Sequence, residues 1–276
     1  MFLSPTALYI ELIKKTLSFS LWKEPLVAID TFNFPRNPIQ RFLVVFFSWI
    51  FRYGRIKLAV ERTFTQDQRD EGKIWPSYAD TMVGMKRLDN VQFCVETVLQ
   101  ENVEGDFIET GVWRGGTCIF MRAILAAYQI NDRKVFVADS FEGLPKPNPK
   151  TYPADTGDKH YIHNFLAVSQ EQVAKNFQRY GLLDDQVVFL KGWFKDTLPI
   201  APIEKLAIMR LDGDMYESTM DGLNNLYSKL SQGGFCIIDD YGLAGCKKAV
   251  DDFRQQHAIQ AELKVVDWTG RHWRKE

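Results

Sequence analysis

Short apolar runs alternate with longer segments whose apolar residues recur at helical spacing through most of the chain. The segments between the runs are typical of amphipathic helices and include Leu88–Asn102, Thr117–Tyr128, Gln170–Tyr180 and Ser218–Leu230. Apolar strands separated by helices predict a parallel sheet covered on both faces, which is a doubly wound α/β fold. The strand-like runs are Asp106–Thr110, Val135–Asp139, Val187–Leu190, Leu206–Asp212 and Phe235–Asp240, followed by Glu262–Asp267 and Arg271–Arg274 as a predicted antiparallel pair at the sheet edge.

The first 75 residues follow a different pattern and predict a helical N-terminal extension. A polar, charged stretch from Thr65 to Pro76 marks the join, so we expect an extension over residues 1–75 and a main domain over residues 76–276. The extension has two apolar pieces, Leu8–Leu17 and a second from Phe42 to about Val60. We expect these pieces to make packing, acceptor or oligomer contacts.

The second apolar piece leaves two interpretations open. Its apolar core, Phe42–Phe51, is shorter than the roughly 20 residues that a membrane-spanning helix needs. Basic residues follow at Arg52, Arg55 and Lys57, so a peripheral membrane contact through Phe42–Lys57 is one interpretation. Packing on the main domain or on a second subunit is favoured, because aromatic-rich helices more often bury themselves in protein. A homo-oligomer is therefore expected.

Charge and cysteine content exclude some partners. Lys+Arg 34 against Asp+Glu 35 leaves a formal net charge of −1, so no global basic field exists to attract nucleic acid. The four cysteines form no CxxC pair, and the N-terminus lacks the pattern of a signal peptide. We therefore expect a soluble, cytoplasmic protein without a zinc site or a disulfide framework.

The candidate chemistry follows the strand-like runs. In doubly wound sheets ligands bind at the carboxyl ends of the strands. After the first run comes Glu109–Gly116 (ETGVWRGG), called the glycine turn below, whose spacing differs from the dinucleotide G-x-G-x-x-G pattern. The second run ends at Asp139, where an acidic residue suits hydrogen bonding to a ribose diol. Together they indicate a nucleoside-bearing cofactor but do not separate NAD from S-adenosylmethionine.

Three aspartates lie at the ends of two further runs. Asp212 ends one run, and Asp239 and Asp240 end the next; these three residues are called the acidic triad below. Clustered carboxylates repel one another unless a cation joins them, and all-oxygen ligands suit Mg²⁺ or Mn²⁺. The alternative is that each aspartate caps the following helix. Three at adjacent strand ends favour the metal.

Six blocks of this sequence are distinctive: Met82–Asn90, Ile108–Gly116, Ala138–Pro145, Gly192–Pro199, Arg210–Thr219 and Ile237–Gly242. Together they closely resemble the macrocin O-methyltransferase-like family. Its members are S-adenosylmethionine- and Mg²⁺-dependent enzymes that methylate sugar hydroxyls of macrolide and aminocoumarin natural products. The resemblance extends from about Pro76 to Lys275, and it implies a class I methyltransferase (Rossmann-like) fold with a seven-stranded, mostly parallel sheet.

The resemblance also implies a role for each matching residue. Asp212, Asp239 and Asp240 match the metal ligands, and Asp214 matches the proposed general base, so Asp212 and Asp214 are the catalytic candidates. The cofactor-binding candidates are Met85, Glu109, Thr110, Gly111, Val112, Trp113, Arg114, Gly115, Gly116, Asp139, Ser140, Phe141, Gly192, Trp193 and Phe194.

The predicted function is transfer of a methyl group from S-adenosylmethionine to a hydroxyl of a sugar on a glycosylated natural product. A lipid-linked or polysaccharide sugar is an alternative acceptor. A nicotinamide-dependent oxidoreductase of similar fold and a non-catalytic adapter are further alternatives. His160 and His163 lie in a long polar segment, Pro147–Phe165, for which a lid over the acceptor site is a reasonable interpretation. For the histidines themselves a solvated loop role is favoured.

Overall fold

The computed structural model describes residues 4–29, 37–51, 54 and 56–276. Within these residues the α-helices are α1 (Pro5–Leu17), α2 (Pro38–Phe51), α3 (Gln66–Asp70), α4 (Met85–Gln100), α5 (Gly116–Ala127), α6 (Gln170–Arg179), α7 (Phe194–Thr197), α8 (Tyr216–Leu226) and α9 (Ala244–Gln256). The strands are β1 (Val27–Ala28), β2 (Ala59–Val60), β3 (Asp106–Thr110), β4 (Val135–Asp139), β5 (Val187–Lys191), β6 (Leu206–Leu211), β7 (Leu230–Ile238), β8 (Lys264–Val265) and β9 (Arg271–Arg274). Short 3-10 turns occur at Pro153–Asp155, His160–Ile162, Asn164–Leu166, Leu198–Ile200 and Tyr227–Lys229.

The main sheet of the described residues has seven strands in the order β5-β4-β3-β6-β7-β9-β8. The strands from β5 to β7 pair in parallel, and β9 pairs antiparallel with both β7 and β8. This arrangement confirms the predicted doubly wound sheet with an antiparallel edge. The predicted strand Phe235–Asp240 is displaced, because β7 begins at Leu230 and ends at Ile238. Asp239 and Asp240 therefore lie beyond the strand, where their side chains are available to the site.

Alternate side chains of the central strands enter two hydrophobic cores. Phe107 and Val137 pack on one face of the sheet, together with apolar residues of α4, α5 and α6. Ile108 and Phe136 pack on the other face, against α8 and α9. The period of two along each strand produces this division, and burial on both faces explains why the strands read as continuous apolar runs.

Helix α1 of the N-terminal extension belongs to the first of these cores. Its side chains Ile10, Ile13 and Leu17 are buried in the same cluster as residues of α4 and α5. The helix begins after Ser4, whose hydroxyl accepts a hydrogen bond from the Ala7 amide at 3.1 Å. Lys14 joins it to α4 through an ion pair with Asp89. Helix α1 therefore packs against the helices of the main domain, whereas the boundary at residues 75 and 76 stays a prediction.

Helix α2 has no buried residue along its length. Its exposed side chains include Phe42, which is 67% exposed, and Trp49, also 67% exposed. The apolar piece predicted to run to Val60 does not continue as one helix, since Ala59–Val60 forms β2 and pairs with β1. Arg52 and Arg55 lie outside the described residues. In the described part of the chain, every helix is too short or too polar to cross a membrane. The favoured packing of this piece on the main domain is not seen for α2, which buries no side chain. Packing on a second subunit, the membrane contact and the homo-oligomer stay predictions.

The polar stretch predicted to join the two parts of the chain has its own structure. Thr65 and Gln68 form a reciprocal capping box at the start of α3. Arg69 of this helix pairs with the buried carboxylate of Glu24. The stretch is therefore fastened to the extension that precedes it.

Candidate active site

The strand register places the ends of four central strands level with one another. Thr110 pairs with Ala138 on one side and with Leu211 on the other, and Leu211 pairs with Ile238. The next residue of each strand stands in a row at the carboxyl edge of the sheet. In sheet order this row is Asp139, Gly111, Asp212 and Asp239.

A cleft of about 480 Å³ opens above this row. It brings together most of the residues that the sequence predicted for the site. From the predicted set its walls contain Glu109, Gly111, Val112, Trp113, Asp139, Ser140, Gly192, Trp193, Phe194, Asp212, Asp214, Asp239 and Asp240.

Six predicted cofactor residues are not part of the cleft wall. The Arg114 guanidinium lies 4.1 Å from the centre of the Trp113 ring and donates to the Ala79 carbonyl at 2.6 Å. Phe141 packs in the core against Phe189. The others are Met85, which is half-buried at the start of α4, the buried Thr110 at the end of β3, and Gly115 and Gly116 at the start of α5.

The glycine turn requires glycine at its centre. Gly111 has a φ of +83°, and a Cβ built there would lie 1.7 Å from the Asp212 carbonyl oxygen. Asp139 holds the turn from the neighbouring strand, because its carboxylate accepts hydrogen bonds from the amides of Val112 and Phe141, both at 2.7 Å. Burial raises the pKa of Asp139, and these amide hydrogen bonds oppose that effect.

The acidic triad converges at the other half of the cleft. One carboxylate oxygen from each of Asp212, Asp239 and Asp240 lies within 4.8 Å of the other two. Asp214 adopts a φ of +59°, and its amide donates to the Asp240 carboxylate at 3.0 Å. Such a backbone conformation is uncommon outside glycine, but aspartate and asparagine tolerate it better than most residues.

Burial also determines the protonation of these carboxyl groups. It raises the pKa of Asp212 to about 6, with the Asp239 charge adding to the effect and Arg210 opposing it. Burial and the Asp212 charge raise the pKa of Asp214 to about 7. The pKa of Asp240 is raised well above its ordinary value, again chiefly by burial. These carboxyl groups lie close together, are poorly solvated and have few cationic neighbours. They therefore do not all ionise at the pH at which an isolated aspartate does.

Two buried arginines lie beneath the triad, a position that the sequence reasoning predicted for neither of them. Arg210 is 0% exposed and pairs with Glu109, with Asp239 and, at 2.8 Å, with Asp212. Arg87 pairs with Asp239 and, at 2.8 Å, with Asp267. For Arg210 the sequence did contain a signal, because it is the arginine in the otherwise apolar run Leu206–Leu211 and a buried charge needs partners.

The long segment after β4 forms part of the cleft wall. His160 lines the cleft, and its Nδ1 lies 2.7 Å from an Asp158 carboxylate oxygen, a placement that the favoured solvated role did not anticipate. His163 packs edge-on against Trp75, which also lines the cleft. Trp268, missed by the sequence reasoning as well, lines the cleft from the turn between β8 and β9.

Comparison with known proteins identifies the kind of enzyme. A family model described as Macrocin-O-methyltransferase (TylF) matches residues 6–275. The chain belongs to the macrocin O-methyltransferase family. It is accordingly an S-adenosylmethionine-dependent O-methyltransferase, and the oxidoreductase and adapter alternatives are set aside. The match begins at residue 6, so the predicted limit of the resemblance near Pro76 was wrong and α1 is part of what the family shares.

The names of relatives of this O-methyltransferase give the compounds that they methylate. The 8-demethyl-8-(2,3-dimethoxy-alpha-L-rhamnosyl)-tetracenomycin-C 4'-O-methyltransferase of Streptomyces olivaceus is 48% identical over 97% of this chain and 92% of its own length. The Mycinamicin III 3''-O-methyltransferase of Micromonospora griseorubida is 51% identical over 79% of this chain and 87% of its own length. The solved structure of the O-methyltransferase NovP superposes with a TM-score of 0.83 at 43% identity, covering 98% of this chain and 99% of that one. The fold is therefore that of a class I methyltransferase.

Proposed function

We propose that this enzyme transfers a methyl group from S-adenosylmethionine to a hydroxyl of a sugar on a glycosylated natural product, with the help of a divalent cation. The observation that carries the proposal is the two-part cleft. The glycine turn and Asp139 stand at one half, and the acidic triad stands at the other. The named relatives act on glycosylated compounds, which supports a sugar acceptor.

The residues around the glycine turn suit a nucleoside-bearing cofactor. Gly111 leaves the backbone bare where a ligand approaches it, and Asp139 stands level with it on the adjacent strand. Trp193 and Phe194 follow β5 and line the cleft on the far side of Asp139, where an adenine ring needs apolar surface. When bound, S-adenosylmethionine supplies an electrophilic methyl group.

The acidic triad suits Mg²⁺ or Mn²⁺. Its oxygens lie close enough together to share one ion. Burial raises the pKa of Asp240, and it raises that of Asp212 despite the ion pair with Arg210. Asp212, Asp239 and Asp240 would hold the ion, which when bound supplies positive charge that stabilises a developing alkoxide.

Asp214 is the proposed proton acceptor. It lines the cleft two residues beyond Asp212, and the αL conformation and the hydrogen bond to Asp240 hold its backbone. A sugar hydroxyl is a poor nucleophile until its proton leaves. Bound S-adenosylmethionine would supply the methyl group and retain the electrons of its carbon–sulfur bond on sulfur, and the Asp214 carboxylate would accept the hydroxyl proton.

The acceptor is proposed to bind on the side of the acidic triad away from the cofactor half. The turn between β8 and β9 lies at the outer side of β7, and Thr269 ties it to the triad by donating to the Asp239 carbonyl at 3.1 Å. In this turn the Trp268 indole is 47% exposed, and its N–H donates to the Glu71 carbonyl at 2.7 Å. A held, partly exposed indole provides an apolar surface against which the C–H face of a sugar packs.

Three variants test the proposal together. Asp139→Ala is expected to abolish binding of S-adenosylhomocysteine in calorimetry. Asp214→Asn is expected to lower kcat by about 10²–10⁴-fold while leaving that binding unchanged, because only proton acceptance is lost. Trp268→Ala is expected to raise KM for the acceptor.

Methylation is followed by mass spectrometry with 8-demethyl-8-(2,3-dimethoxy-α-L-rhamnosyl)-tetracenomycin C as the first acceptor. Full activity of Asp214→Asn contradicts the assigned base, and the absence of cofactor binding in the unaltered enzyme contradicts the whole proposal.

A further inference from the structure

Arg210 connects the two halves of the cleft from below. It stands in register with Glu109 on the neighbouring strand, and its side chain is 0% exposed. Glu109 is the first residue of the glycine turn, whereas Asp212 and Asp239 are members of the acidic triad. A single buried guanidinium thus contacts both the proposed cofactor half and the proposed metal half.

The Arg210 guanidinium donates hydrogen bonds to both halves of the cleft. Its Nη1 donates to Glu109 and, at 2.8 Å, to Asp212, while its Nη2 donates to Asp239. The second Glu109 oxygen accepts from the Cys118 thiol at 2.9 Å, so the glutamate is held from both sides. Because a guanidinium is planar and rigid, a shift that improves one of these contacts changes the others.

We propose that Arg210 is a positioning residue that couples the two sites, so that a divalent cation on the acidic triad raises the affinity of the glycine turn for the cofactor. This inference rests on the proposed function. A cation draws the charge of Asp212 and Asp239 toward itself and weakens their hold on Arg210. The guanidinium then interacts more strongly with Glu109, which orders the turn. Since coupling is reciprocal, the cofactor raises the affinity for the cation by the same factor.

Arg87 provides the matched comparison. It is also buried and also pairs with Asp239, but its other ion pair is with Asp267, on the turn between β8 and β9. Its substitution therefore perturbs the triad without changing the partners of Glu109. Arg210→Lys retains the positive charge of Arg210 but loses the planar guanidinium that contacts several carboxylates at once. Glu109→Gln retains the shape of Glu109 and removes its negative charge.

The experiment measures binding rather than turnover. Calorimetry gives the Kd of S-adenosylhomocysteine with and without saturating Mg²⁺, and electron paramagnetic resonance gives the Kd of Mn²⁺ with and without S-adenosylhomocysteine. This cofactor product lacks the sulfonium charge, so direct repulsion of the metal is avoided. In the unaltered enzyme each ligand is expected to tighten the other at least about fivefold. The ratio is expected to fall to within about twofold of one in Arg210→Lys and in Glu109→Gln. Arg87→Lys is expected to weaken Mn²⁺ binding and keep the ratio.

Each contrary result has a distinct meaning. A ratio of one in the unaltered enzyme overturns the coupling, and so does a full ratio in both Arg210→Lys and Glu109→Gln. Equal loss in Arg87→Lys shows that the general field of the arginines acts, and it also overturns the specific bridge. If circular dichroism shows that Arg210→Lys does not fold, Glu109→Gln decides. Failure of S-adenosylhomocysteine to bind under any condition removes the proposed function as well, whereas binding without coupling removes only this inference.

Discussion

Gly111 and Asp212 are in backbone contact, and this contact ties the glycine turn to the acidic triad. Glycine is required at this position for two reasons. Its φ is +83°, and a Cβ would lie only 1.7 Å from the Asp212 carbonyl oxygen. Asp214 also combines two features, because its backbone adopts an uncommon positive φ and its side chain is the proposed proton acceptor. Uncommon backbone conformations tend to cluster at functional sites, where the surrounding structure maintains them.

Gly111→Ala is expected to separate the two halves of the cleft. The added methyl group cannot fit, so the turn must move away from Asp212, and we expect weaker S-adenosylhomocysteine binding together with a lower midpoint of thermal unfolding. Gly181→Ala is the control, because Gly181 has a φ of +68° with open space around its Cβ position. It carries the strain without the clash. Calorimetry that gives the same Kd for both variants would contradict the role of the contact.

At the scale of elements, the segment after β4 fastens the start of α8. The Asp155 carboxylate is buried and accepts hydrogen bonds from the amides of Tyr216 and Glu217, at 2.6 and 3.1 Å. Helix α8 has no capping side chain at its own N-cap, Met215. A residue about sixty positions earlier therefore caps the helix that directly follows Asp214.

Asp155→Ala is expected to reduce both stability and kcat. Loss of the cap should lower the free energy of unfolding by about 1–2 kcal/mol, and the loosened start of α8 should displace Asp214. Ser169→Ala removes the N-cap of α6, where the Ser169 hydroxyl accepts a hydrogen bond from the Gln172 amide at 3.3 Å. It should cost similar stability and leave kcat unchanged. Urea denaturation and initial rates measure both effects, and a normal kcat in Asp155→Ala would show that the cap does not position the base.

At the scale of the whole molecule, the sheet gathers acidic groups from distant parts of the chain into one buried region. The Asp212 and Asp214 pKa values of about 6 and 7 lie above the ordinary aspartate value. The folded protein therefore holds these protons more tightly than the unfolded chain does. The stability that this provides is full below about pH 4 and is lost as the pH rises through 6 to 7.

A divalent cation is expected to reverse this loss. Because it competes with protons for the carboxylates, its affinity should increase over the same pH window. We therefore expect Mg²⁺ to raise the midpoint of thermal unfolding more at about pH 8 than at about pH 5.5. Differential scanning calorimetry with and without Mg²⁺ measures the shift, and Asp212→Asn should reduce the difference. A shift independent of pH would argue against binding at the acidic triad.

The alternation of strands and helices and the chemistry at the strand ends could be predicted from the amino-acid sequence. A period of two or of 3.6 is local, and glycines or aspartates that directly follow an apolar run are visible without any tertiary contact. For the same reason the strand bounds Asp106–Thr110 and Val135–Asp139 agree with the structure. Thirteen of the predicted site residues meet in one cleft.

The residues that support this chemistry could be identified only in the folded chain. Arg210 and Glu109 are 101 positions apart and meet through strand register. Arg87 reaches Asp239 across 152 positions. Trp268 and His160 line the cleft because a turn and a loop fold over it. A sequence pattern contains the period of each element but not the order of the strands or the side on which each segment returns. Contacts that depend on that order are therefore decided by the packing of the whole chain.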